Sequence, residues 1–146
     1  MESTVTRNWG LTILRVVVGI VYLAHGSQKL FVYGLGGVQA AFGQMGIPAP
    51  AVMGPFIALL EFVGGILLIF GFLTRWVALL FALEMLVAIV KVHLSGGFFM
   101  PRGYEFALTL CAASVALALA GPGAAALDRV VFAKHGIGRG TLIDPT

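Results

Sequence analysis

The chain has 146 residues, of which 60% are hydrophobic and only 10% charged, and its mean hydropathy is +1.03. Those values exclude an ordinary soluble domain, and a formal net charge of +3 spread over so few ionisable groups reads as a membrane topology signal, not as a footprint for nucleic acid. The apolar runs are continuous, which argues against a β-barrel, and they lack the polar face of a helix in a soluble core.

The polar tail MESTVTRNWG (1–10) comes first, with Trp9 as an interfacial anchor. A spanning helix needs about 20 mostly apolar residues, and 11–31 is the first stretch to supply them. It is long for a cleaved leader and ends in His25 and Lys29, so it reads as a mature span. Residues 32–51 carry no charge; within them GGVQAAFGQMG fits a short interfacial helix ended by Pro48, and a lid or a plain connector fits equally well. The second span is 52–72, and the tight turn LTRWV makes the third, 76–95, its antiparallel neighbour. SGGFFMPRG supplies the next turn, 104–121 the fourth span, GPG its stop, and 122–146 a C-terminal tail. The expected fold is an all-α membrane protein, a four-transmembrane-helix bundle over 11–121. Arg7, Arg75, Arg129, Lys134 and Arg139 fall in both tails and the second connector, which places both termini in the cytoplasm.

The spans carry ionisable groups that hydrocarbon does not favour. At 100° per residue, Arg15, Tyr22, His25 and Lys29 fall within an arc of roughly 80° on the first helix. Glu61 shares its face of the second helix with Gly54, Gly64 and Gly65, small residues that admit a close neighbour. Glu84 and Lys91 are nearly eclipsed on the third helix, with His93 on the opposite side, and Glu105 starts the fourth. By helical rise, His25, Lys29, Lys91, His93 and Glu105 belong to the outer half, Glu61 and Glu84 to the midplane, and Arg15 to the inner half. A charge at that depth costs about 2.5 kcal/mol or more and is usually functional; an internal salt-bridge network that fixes helix register is the structural alternative. The single cysteine, Cys111, rules out an intramolecular dithiol and fits a packing role. No motif for a metal, a nucleotide phosphate or a nucleophilic triad is present, and a b-type haem between His25 and His93 is disfavoured by their different faces.

Arg15, Gly19, HGSQKL (25–30), LEFVGGILLIFGFLTR (60–75), GYEFALTL (103–110) and GPGAAALD (121–128) together resemble the DoxX family of small bacterial membrane proteins. Members often have serine where this chain has Ala126. The resemblance implies a four-helix protein of the bacterial inner membrane linked to redox processes. The family is related to a membrane subunit of a thiosulfate:quinone oxidoreductase, and its members are associated with oxidative-stress complexes and with quinone or catechol handling.

The expected function is a quinone-linked membrane oxidoreductase component with a polar cleft in the outer half of the bundle. His25 and Glu61 are its candidate catalytic residues; Arg15, Tyr22, His25, Lys29, Glu61, Glu84, Lys91 and Glu105 are its candidate ligand-binding residues. The expected partners are the bilayer and a soluble or membrane redox subunit, with a homo-oligomer left open and no metal. A noncatalytic anchor or assembly factor and a small-solute carrier are the alternatives.

Overall fold

The computed structural model describes residues 3–134, so the end of the expected C-terminal tail, with Arg139, lies outside the described residues. The described residues contain only helices: α1 (Thr4–Ser27), α2 (Gly34–Gln44), α3 (Pro50–Phe70), α4 (Thr74–Ala88), α5 (Glu105–Ala120) and α6 (Leu127–Lys134). Wide π turns, Gln28–Tyr33 and Ile89–His93, extend α1 and α4. Three helical stretches, Thr4–Gln44, Pro50–Phe70 and Thr74–Gly96, are long and apolar enough to cross a membrane, and α5 is a shorter apolar helix of 16 residues. Ile13, Val17, Ile20, Leu79, Leu83, Leu86, Val115 and Leu119 are exposed on the outside, the inverse of a water-soluble surface.

Two departures from the expected boundaries have local causes. Helix α1 begins at Thr4, inside the stretch read as a tail, because the Ser3 hydroxyl accepts the Thr6 N–H and caps it. Helix α2 occupies the expected short-helix segment but ends at Gln44, before Pro48. Gly46 takes φ +70° there, so the chain leaves the helix through a left-handed residue.

Packing is set by glycines. The buried stripe of α1, Arg15, Val18, Gly19, Tyr22 and Gly26, meets that of α3, Ala58, Glu61, Gly65 and Leu68. A Cβ on Gly19 would sit 2.8 Å from Ile69, and one on Gly65 would sit 2.6 Å from the Leu23 backbone, so both positions need the smallest residue. Helices α4 and α5 form the second close pair, whereas α3 and α4, joined only by Gly71–Phe72–Leu73, touch far less. The bundle is therefore two close pairs whose backbones stand farther apart between α3 and α4, where Phe81 and Val77 reach across to Gly64.

At the end of the bundle where the chain starts, Arg15 is buried and bonds to backbone. Its guanidinium donates to the carbonyls of Pro122, Ala125 and, at 3.3 Å, Ile69. The Thr12 hydroxyl accepts the Ala124 N–H at 2.9 Å. Asp128 then caps α4, accepting the Leu73 N–H at 2.7 Å and the Thr74 N–H at 2.9 Å; the first turn of α4 has no capping side chain of its own. The start of the expected tail, 122–134, is thus fastened to α1 and to the α3–α4 turn, and it continues as α6.

Asp128→Ala should lower stability by about 1 to 2 kcal/mol, the usual value of a cap, with Asp128→Asn in between. Arg15→Met, which abandons three carbonyls at once, should cost more than either. Melting in mild detergent measures all three; an Arg15→Met protein that melts with the wild type would show that this seam contributes nothing.

Candidate functional site

At the opposite end of the bundle lies a cavity of ≈ 500 Å³. Tyr22, His25 and Lys29 of α1 and its extension, Glu61 of α3 and Glu84 of α4 supply its polar groups; Phe56, Leu60, Leu80 and Phe106 are among its apolar walls. Phe42, Met45 and Ile47, from the end of α2 and the segment after it, also line it. The short helix expected in this segment is present as α2, and its end faces the cavity.

The charged group at its centre follows from the glycine packing. Gly26 brings α1 against the backbone of Glu61 and Phe62; a Cβ there would lie 2.7 Å from the Phe62 Cα. Lys29 sits one turn further along the same face, and its Nζ forms an ion pair with Glu61 Oε2. The lysine side chain is 20% exposed and the glutamate 4%, so the pair excludes most solvent while the ammonium keeps one side open to the cavity. Glu84 lies against Glu61, within hydrogen-bonding reach of it, and its Oε2 is buried. Below it the Tyr22 ring stacks on Phe81 at 3.6 Å and 5°. The Tyr22 hydroxyl lies 3.4 Å from the Phe81 carbonyl oxygen and 3.5 Å from the Ser114 hydroxyl. The His25 ring stands 6.1 Å from that of Phe106.

Five of the eight residues named from sequence line this cavity: Tyr22, His25, Lys29, Glu61 and Glu84. Three do not. Arg15 belongs to the backbone clamp at the other end. Glu105 accepts the Met100 N–H at 2.7 Å and fastens the turn before α5. Lys91 is exposed outside the cavity, because the π turn adds one residue to the helix and rotates the residues after it by about 100°. Val92 takes the face expected of Lys91, and His93 comes round to the cavity wall, with its Nδ1 3.4 Å from the Arg102 carbonyl. Sequence reasoning also missed Ser114; a lone hydroxyl in an apolar helix must find a partner and could have been flagged for that reason. Cys111 packs half-buried, its thiol 3.5 Å from the Ala82 carbonyl.

A largely apolar cavity with an ammonium, a histidine and two carboxyl groups on its wall suits a small molecule with few polar atoms. The donors can bind carbonyl oxygens, and the carboxyl groups can carry protons where water is scarce.

The family model DoxX matches residues 10–94. A Bacillus subtilis protein named "Putative oxidoreductase CatD" is 39% identical over 123 residues, covering 84% of this chain and 87% of its own. The inner membrane protein YqjF of Escherichia coli is 33% identical over 131 residues, 86% of this chain and 94% of its own. The inner membrane protein YphA of the same organism is 30% identical over 125 residues, 82% and 88%. No solved structure matches the chain significantly.

Removing one partner of the central pair should cost more than removing both. Lys29→Met and Glu61→Leu should each destabilise by about 3 to 5 kcal/mol, because each strands a buried charge, and the double variant should recover at least half of the summed loss. Thermal melting of the four proteins in one detergent decides it; losses that simply add would show the two side chains to be uncoupled.

Proposed function

The chain belongs to the DoxX family of bacterial membrane proteins, and from that membership together with the cavity we propose that it is a quinone-binding component of a membrane oxidoreductase. It spans the inner membrane four times, with α5 completed by its flanking turns as the fourth crossing, and both termini are cytoplasmic. The cavity then opens in the outer half of the bilayer.

The observation that carries this reading is the gathering of His25, Lys29, Glu61 and Glu84 on the wall of one otherwise apolar cavity. Ionisable groups that deep in a membrane protein are costly and usually functional, and here they meet at a space large enough for a small molecule. Lys29 and His25 donate to one carbonyl of a quinone ring, and Tyr22 forms part of the floor. Full reduction adds two electrons and two protons, one hydrogen to each ring oxygen. The electrons come from a redox partner, soluble or in the membrane, since the single cysteine gives this chain no dithiol. The protons come through Glu61 and Glu84 and are replaced from water at the outer surface.

The noncatalytic anchor remains the competing reading, and the mutual satisfaction of Lys29 and Glu61 is what favours it. Titration with a tail-less benzoquinone separates the two. Wild type should bind, and His25→Gln and Glu84→Gln should each weaken binding about tenfold, the equivalent of about 1.4 kcal/mol, while melting with the wild type. Binding that is absent from the wild type, or equal in all three proteins, would leave the anchor.

Topology has its own check. In a Cys111→Ala background, a membrane-impermeant thiol reagent added to intact cells should label Gly37→Cys and spare Lys134→Cys; the reverse pattern would overturn the orientation.

A further inference from the structure

A second space adjoins the cavity on its membrane side. The seam between α3 and α4 forms a groove of ≈ 380 Å³, bounded on α3 by residues from Phe56 to Leu67 and on α4 by residues from Leu73 to Leu80, and no ionisable side chain lines it. Phe56, Leu60 and Leu80 line both spaces, so those three side chains form part of the wall between the cavity and the groove. From the level of Phe56 to that of Leu67 the groove runs about 16 Å along the helix, from the first third of α3 toward the end of the bundle fastened by Arg15. Leu59, Val63 and Trp76 on its rim are exposed, as a wall open to lipid requires.

We propose that this groove holds the isoprenoid tail of a membrane quinone whose ring occupies the cavity, and that the ring enters sideways from the bilayer past Phe56, Leu60 and Leu80. The inference rests on the quinone reading of the cavity and narrows it to lipid-soluble quinones. Depth selects the occupant. The groove meets the cavity between the levels of Phe56 and Leu60 on α3, about 9 to 15 Å from the start of that helix, and a phospholipid threaded the same way would have to carry its charged head well inside the hydrocarbon, at a cost of several kcal/mol. A quinone ring is neutral and compact, so it can lie at that depth with its hydrocarbon tail along the seam.

The test uses the whole protein in nanodiscs of one lipid composition and two benzoquinones with the same ring, one without a tail and one with two isoprene units. Val63→Trp and Leu59→Trp fill the groove from its lipid side without touching the cavity; Ile13→Trp, on the lipid face of α1, is the control. Each groove variant should weaken binding of the tailed quinone at least fivefold and leave the tail-less one unchanged, and the control should alter neither. Comparing variants in the same nanodisc cancels partitioning of the tailed compound into lipid. Unchanged binding of the tailed quinone in both groove variants overturns the tail site while the cavity reading stands, as does a groove variant that changes only the retained phospholipid or the oligomeric state. Failure of the wild type to bind either compound overturns both.

Discussion

A carboxylate at mid-depth in a bilayer persists only with a partner, and the pairing of Glu61 with Lys29 is the constraint around which this bundle is arranged. The pair requires α1 and α3 to approach within backbone contact at one level, which Gly26 permits directly and Gly19 and Gly65 continue. Once those helices are locked together, α4 and α5 form the other pair, and the carboxyl of Glu84 arrives beside Glu61 without a base of its own. The polar slot is what remains between the two pairs.

The two ends of the molecule handle buried charge in different ways. At the terminal end Arg15 bonds to backbone carbonyls of α3 and of the stretch after α5, and Asp128 in turn caps α4; these bonds close the bundle. At the other end the ion pair and Glu84 lie on the wall of an open cavity, which Phe42, Met45 and Ile47 also line. Division of this kind, a fastened end that fixes geometry and an end with an open cavity, lets a membrane protein bind a small molecule without unfolding around it.

Much of this was legible in the sequence because hydrocarbon imposes simple rules. Span length, the small-residue face of α3 and the shared face of Tyr22, His25 and Lys29 come from counting at helical periodicity, and the structure differs mainly at helix ends. Arg15 was misplaced into the ligand cluster because its partners are backbone carbonyls, which every residue has and no side-chain pattern reveals. Lys91 and His93 exchanged roles because a π turn shifted the register by one residue, a change without a composition signal. Glu105 looked like a site residue and serves a turn instead, since a helix-terminal carboxylate fits either use. The cavity-lining residues at the end of α2 were invisible as such because their apolar character suits lipid, lid and connector equally.

The central claim is that the slot exists to hold a quinone, and the quinone content of the protein purified from its own membrane in a gentle detergent measures this most directly. Extraction and quantification should find close to one quinone per chain in the wild type and little in Ala88→Trp, which fills the slot from α4. Equal trace amounts in both proteins, with both folded, would contradict it.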